Sequence, residues 1–417
     1  MTEKVLDKFL RYVKIDTQSQ EDQEPTPSTS KQFNLGRLLE KELAQIGVQD
    51  IELDEHCYLF GTIPSNLPTD HPAYGKVPTI GLLAHMDTSP DVSGKDVKPQ
   101  FVENYQGGDI VVSKELNVII KESENPNLKK CIGHTIITSD GTTLLGADDK
   151  AGVASIMATA EYLINNPQIL HGRIRIAFTP DEEIGQGTKF FDIKKFGADY
   201  AYTVDGDYPG EINKETFSAN AAIITVYGRD IHPGSAKDIM VNSVRIIADI
   251  IDMLPKCMSP ETTENYEPFI HPHTLEGTVG KSVLRMLMRD FETAGLAKQQ
   301  QILENIVCLA RTKYPNAKID LEIKEQYRNM KDYMAGHDIV NECMWDACLK
   351  AGVTPEWKPI RGGTDGSRLT EMGLPTPNFY AGGQNFHSRQ EWISAEALEI
   401  VFKTLIQLPG VWVEKYK

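Results

Sequence analysis

At 417 residues the chain is long for one small core, which suggests two domains. Hydrophobic residues make up 40% and charged residues 24%, an ordinary globular composition, and the net charge of −16 argues against nucleic-acid or anionic-membrane partners, both of which need a basic surface. No apolar run reaches the roughly 20 residues of a membrane span.

The chain opens with apolar residues at helical spacing among Glu3, Lys4, Asp7, Lys8 and Arg11. This pattern predicts an amphipathic helix over about Glu3–Tyr12 and lacks the continuous apolar stretch of a signal peptide. Thr17–Ser30 reads as a polar loop; Ser30 then caps a helix that runs to about Ile46 and stops at Gly47. Strands are expected at Tyr58–Ile63, Thr79–Ala84, Ile136–Thr138, Arg173–Thr179 and Tyr200–Val204, with a helix over about Gly152–Asn165. Strands alternating with helices predict an α/β domain with a helix-covered sheet.

After about Asn213 the pattern changes. Phe217–Tyr227 reads as a strand, Val241–Met253 as a helix, Gly277–Val279 and Leu284–Phe291 as extended, Glu292–Arg311 as a long polar helix and Ala317–Ile323 as a strand. This βαββαβ order predicts a ferredoxin-like α+β module. From about Asp338 the first style returns. The expected organisation is a catalytic domain over 1–213 and 327–417, interrupted by an inserted domain over 214–326. The six cysteines, Cys57, Cys131, Cys257, Cys308, Cys343 and Cys348, form no C-x-x-C, which predicts a reduced, cytoplasmic protein without a thiolate metal site.

Acids and histidines recur directly after apolar strands. His85 and Asp87 follow one strand, Asp181, Glu182 and Glu183 a second, and Asp205 and Asp207 a third. Asp148 and Asp149 sit in a tight turn leading into a helix, and His387 lies in a Gly-rich loop. In open α/β sheets ligands bind beyond the carboxyl ends of the strands, so these groups are expected to gather there. Histidine with carboxylate and no cysteine suits zinc or another divalent first-row metal. Each segment alone also has a plain reading: a hydrogen-bonded strand-end histidine, an acidic helix start, or a pair of capping aspartates. The repetition favours a metal site.

These segments resemble the M20 family of metallopeptidases, most closely its tripeptide aminopeptidases. The similarity runs through Asp16–Ser19, His85–Pro90, Asn104–Asp109, Thr143–Gly152, Phe178–Glu183, Tyr202–Gly206, His232–Gly234, Arg289–Phe291 and Arg361–Gly366. The resemblance implies two Zn²⁺ per subunit, with Co²⁺ or Mn²⁺ as substitutes. His85, Asp148 and Asp205 would hold one ion and Asp148, Glu183 and His387 the other. It further implies that Asp87 orients His85, that Glu182 is the general base toward a metal-bridging water, and that the Asp148–Asp149 peptide is cis. Substrate contacts would come from His232 (at the oxyanion), Arg289 (at the terminal carboxylate), Arg361 and Asn104. The inserted domain would act as a lid and pair two subunits into a homodimer, and the substrate would be a short peptide with a free N-terminus. Other M20 amidohydrolases (dipeptidase, carboxypeptidase or N-acyl amino acid deacylase) share the metal set, and a non-catalytic peptide-binding relative would have lost the base or a ligand.

Overall fold

The computed structural model describes residues 3–417. It divides into two compact units: the first comprises the chain up to Lys214, Tyr333–Lys358 and Thr364–Lys417, and the second Glu215–Asp332 with Pro359–Gly363. The short Pro359–Gly363 stretch, which the expected boundaries leave with the C-terminal segment, belongs to the second unit. There the Phe217 N–H donates to the Ile360 carbonyl (3.1 Å) and the Ile360 N–H to Glu215 (3.0 Å).

The first unit is built on a six-stranded mixed sheet in the order Gln49–Leu53, Leu59–Ile63, Ile174–Thr179, Ile80–His85, Tyr200–Gly206, Asn378–Tyr380. The last four run parallel and the first two pair antiparallel at one edge. Ile80–His85 and Ile174–Thr179 are buried along their whole length, which explains their continuous apolar runs. His85 pairs in register with Thr179, so the first histidine and the acidic loop leave the sheet side by side.

Helix Ala147–Asn165 lies against this sheet, and its core positions are largely small (Ala, Gly, Ser and Thr) with Val, Ile, Met and Leu between them. Small residues are needed because the approach is close: a Cβ on Gly152 would sit 1.9 Å from the Val204 carbonyl oxygen. The helix starts earlier than the apolar pattern suggests, and Asp148 (φ −83°, ψ 108°) and Asp149 (φ −118°, ψ 33°) are non-helical within its first turn. Helix Gln32–Ile46 ends at Gly47 in the left-handed region (φ 99°), as its position predicts. Its N-cap is Lys31 rather than Ser30, and no side chain caps it. Ser30 contributes its carbonyl to the Phe33 N–H instead.

A four-stranded antiparallel sheet joins Gly383–Gln384, Trp392–Ser394, Ile136–Thr138 and Gln100–Val102. These strands have two or three residues each, too short for an alternating pattern to announce them. No helix among the described residues is long and apolar enough to cross a membrane.

The second unit has a four-stranded antiparallel sheet in the order Phe269–Gly277, Lys281–Asp290, Ser218–Tyr227, Lys318–Tyr327. Helices Ser243–Asp252 and Thr293–Lys313 pack on it through Ile246, Ile247, Ile250, Leu303, Ile306 and Val307. This is the βαββαβ order expected from the sequence. The first extended segment is Phe269–Gly277 rather than Gly277–Val279, which forms part of the turn. Pro272 disguises that strand, and it is tolerated because the strand is at an edge.

Candidate metal centre

The carboxyl ends of three neighbouring parallel strands deliver the principal groups. His85 closes its strand, Asp205 lies in Tyr200–Gly206, and Ile174–Thr179 leads into a 3₁₀ turn at Glu182–Ile184. The turn before helix Ala147–Asn165 adds Asp148, and the loop between two short strands adds His387. His387 (φ 58°) and Asn385 (φ 55°) both adopt left-handed backbone, a costly conformation for residues other than glycine that often accompanies a functional constraint.

Among the described residues, two groups have donor atoms close enough to share an ion: His85, Asp148 and Asp205, and Asp148, Glu183 and His387. Asp148 belongs to both and divides its oxygens between them. Its Oδ1 is 2.9 Å from His85 Nε2, and its Oδ2 is 3.3 Å from His387 Nε2. Asp205 Oδ1 lies 3.5 Å from His85 Nε2, and Glu183 Oε2 lies 2.7 Å from His387 Nε2. The His85 Nδ1 is 3.1 Å from the Asp87 carbonyl, which as acceptor assigns the proton to Nδ1 and turns the Nε2 lone pair toward Asp148 and Asp205.

The electrostatics describe crowded, desolvated acids. Burial, reinforced by Asp148, pushes the Glu183 carboxyl up to about 8. Burial likewise raises Asp205 to about 7 despite the opposing effect of His85. Burial lifts Glu182 well above the carboxylate range, with Asp205, Asp365 and Glu183 adding to the lift against His85. Burial opposes protonation of His387, but hydrogen bonds to Asp148 and Glu183 outweigh it and raise the ring to about 11. Glu183 Oε1 is buried and finds no hydrogen-bond partner among the described residues. Converging carboxylates, imidazoles turned toward them and an orphaned carboxylate oxygen together fit a divalent cation in each group, a charge that crowded acids require.

Around these donors, further carboxylates hold the backbone. Asp87 is fully buried and accepts from the Glu182 N–H (3.0 Å, Oδ1) and the Glu183 N–H (3.2 Å, Oδ2), with Oδ1 also 3.4 Å from His85 Nδ1. It therefore spans His85 and the acidic turn, a wider role than orienting His85 alone. Asp149 accepts from the His85 N–H (3.2 Å) and from the Gly152 N–H (3.1 Å), so the helix-cap reading of this residue describes part of what it does. Asp181 accepts from the Ser28 N–H, the Ser28 hydroxyl and Gln32 Nε2, each at 2.6 Å. The Asp148–Asp149 peptide is cis.

The remaining expected site residues have different surroundings. Asn104 is an exposed turn residue (φ 50°) whose Oδ1 accepts from Gln106 Nε2. In the second unit, His232 is exposed and its Nδ1 accepts the Gly234 N–H (3.1 Å). Arg289 is largely buried, lies over the Tyr327 ring and donates through Nη1 to Gln326 Oε1 and to the Asn220 and Met288 carbonyls. Arg361 donates through Nη1 to the Asn265 and Glu267 carbonyls and through Nη2 to Thr263, and stacks over Phe217 and Phe269. Arg361 thus braces its own unit. The same Gly-rich stretch carries Asp365, which is not among the expected site residues; it is buried, belongs to the first unit, accepts from the Thr179 hydroxyl (2.7 Å) and raises Glu182. Its position in the resembling Arg361–Gly366 segment is the one sequence signal for it.

The family model for Peptidase family M20/M25/M40 matches residues 140–409. Proteins named Peptidase T are similar over the full chain: that of Halothermothrix orenii is 48% identical, covering 99% of this chain and 100% of its own length. That of Clostridium novyi is 46% identical over 97% of this chain and 98% of its own length. The crystal structure of aminopeptidase PepT from Bacillus cereus superposes with a TM-score of 0.73 at 24% identity, over 99% of both chains. The chain belongs to peptidase family M20/M25/M40, as a full-length relative of the proteins named Peptidase T. It is an enzyme of the peptidase class.

Proposed function

We propose that the chain is a two-metal aminopeptidase that removes the N-terminal residue from tripeptides, with zinc as its metal and Co²⁺ or Mn²⁺ as workable substitutes. The observation that carries the reading is the division of Asp148, one carboxylate oxygen toward His85 and the other toward His387. His85, Asp148 and Asp205 would hold one ion, and Asp148, Glu183 and His387 the other. When bound, the metal supplies Lewis acidity, polarising the scissile carbonyl and making water acidic enough to deprotonate near neutral pH.

This chain's own groups then divide the labour. Glu182 belongs to neither donor group, so its lone pairs are free, and its desolvated carboxyl is raised well above the ordinary range. It accepts the proton of the attacking water and returns it to the leaving amine. Asp87 keeps Glu182 and Glu183 in register through their amides. From the Glu215–Asp332 segment, His232 stabilises the developing oxyanion and Arg289 takes the terminal carboxylate of the peptide, for which a guanidinium is well suited. The same segment acts as a lid and pairs two copies into a homodimer. The reaction is assigned to the cytoplasm, where the exposed Cys257 and Cys308 stay reduced.

Metal analysis combined with three substrates tests this. Ala-Ala-Ala should release free alanine from its N-terminus, while N-acetyl-Ala-Ala-Ala and an N-acyl amino acid remain intact, with two metal ions per chain. Cleavage restricted to substrates with a blocked amine would replace the aminopeptidase reading by that of a deacylase or carboxypeptidase.

A further inference from the structure

Asp148 must hold its two oxygens toward two different histidines, yet its backbone is non-helical within the first turn of a helix (φ −83°, ψ 108°), so helical hydrogen bonding does not fix it. Glu391 reaches the same turn. This residue is 1% exposed and occupies the position just before strand Trp392–Ser394, which pairs with Ile136–Thr138. Its Oε2 accepts from the Leu145 N–H (2.7 Å) and the Gly146 N–H (2.8 Å), and its Oε1 accepts from the Asp148 N–H (3.0 Å). These are the amides of the turn that delivers Asp148, and Gly146 at its bend is left-handed (φ 82°). Glu391 also lies four residues beyond His387 in the same loop. That loop is itself tied down: Ser388 Oγ donates to the Asn385 carbonyl (2.7 Å) and Asn385 Nδ2 to the Gln390 carbonyl (3.2 Å).

We propose that Glu391 is a positioning residue of the metal centre, fixing through both carboxylate oxygens the turn that presents Asp148 and tying that turn to the loop that carries His387. The inference rests on the two-metal reading of the donor groups. Its chemical content is that three amide donors converge on one side chain from two directions, so both of its oxygens must accept. A carboxylate meets this demand, and charge-assisted bonds to backbone amides are stronger than neutral ones. Glutamine is nearly isosteric but accepts through one oxygen only. In either orientation its NH₂ faces at least one of the three amides, donor against donor. Glu391 donates nothing to a metal and is in neither donor group, so its effect reaches the ions through Asp148.

The test compares wild type, Glu391→Gln and Asp148→Asn for zinc affinity by chelator competition, together with metal-free melting temperature, kcat and KM. Disturbing a group that orients a ligand typically costs about 10–100-fold in metal affinity. Glu391→Gln should therefore bind zinc about 10–100-fold more weakly, keep KM, lose kcat at limiting zinc and recover much of it at saturating zinc. Its metal-free chain should still melt in one cooperative transition, lowered by a few degrees because a buried amide is left unpaired. Recovery by added metal separates positioning from general damage to the fold. Wild-type affinity in Glu391→Gln, or a lost kcat that excess zinc does not restore, overturns the proposal. If Glu391→Gln does not fold, amide exchange in the wild-type chain decides: Leu145, Gly146 and Asp148 should be protected, and exchange at open-loop rates overturns it. Failure of the wild type to bind metal, seen separately in the same experiment, brings down the two-metal reading and this inference with it.

Discussion

Replacing Asp87 by asparagine probes how far the reactive geometry depends on one buried carboxylate. Asp87 accepts two backbone amides through separate oxygens, from Glu182 at 3.0 Å and Glu183 at 3.2 Å, and is fully buried. Asparagine keeps one acceptor and turns its NH₂ toward the other amide. One hydrogen bond to a charged acceptor is lost, worth about 1.5–3 kcal/mol, and a buried N–H is left unpaired at a cost of about 1–3 kcal/mol. These terms overlap, so about 2–4 kcal/mol is a fair total. The affected amides belong to the proposed base and to a proposed ligand, so the loss falls largely on the reactive arrangement. At 1.36 kcal/mol per tenfold, kcat should fall about 30- to 1,000-fold, with KM little changed because Asp87 is fully buried and exposes no surface for substrate to touch. Steady-state kinetics on a tripeptide at saturating metal, paired with thermal melting, measure the split. A kcat within threefold of wild type at unchanged melting temperature would refute the argument that Asp87 holds the acidic turn.

Four further outcomes follow from the same geometry. Glu182→Gln should lose about 10²–10⁴-fold in kcat while retaining its metal; near-wild-type turnover would remove Glu182 as the base. Gly152→Ala places a methyl group 1.9 Å from the Val204 carbonyl oxygen, so helix and strand must separate, and denaturant unfolding should show a loss of about 1–3 kcal/mol or more. Without metal, the folded chain retains protons at Asp205 (about 7), Glu183 (about 8) and His387 (about 11) that the unfolded chain releases earlier. Because the folded state binds more protons, metal-free stability should decline as pH rises from about 4 through about 8 and beyond, whereas bound cations should flatten that slope; parallel melting profiles with and without chelator would contradict this. Arg361→Ala should destabilise the Glu215–Asp332 unit by about 1–2 kcal/mol through lost stacking and carbonyl bonds, and an unchanged melting temperature with a raised KM would instead assign Arg361 to substrate.

What could be read from the sequence, and what could not, divides along a physical line. His85, Glu183 and Asp205 stand at or just beyond the ends of apolar strands, and a parallel sheet brings such ends to one edge, so their meeting follows from local pattern. Helix and strand order in the Glu215–Asp332 segment is legible because long elements carry their own periodicity, with Phe269–Gly277 the exception, its pattern broken by Pro272. Asp149 and Glu391 are different. Their function is to accept backbone amides, and an amide has no sequence signature: any residue but proline supplies one. Glu391 meets Leu145, Gly146 and Asp148 only because Trp392–Ser394 pairs with Ile136–Thr138, a contact between distant three-residue strands that no periodicity marks. Arg361 is a further case: its place in a Gly-rich loop suggests a substrate contact, and only the fold displays the carbonyls of Asn265 and Glu267 and the rings of Phe217 and Phe269 that also engage it. Residues that touch an ion are selected for side-chain chemistry, which sequence displays. Residues that hold those side chains still are selected for where they meet the backbone, and only the fold displays that.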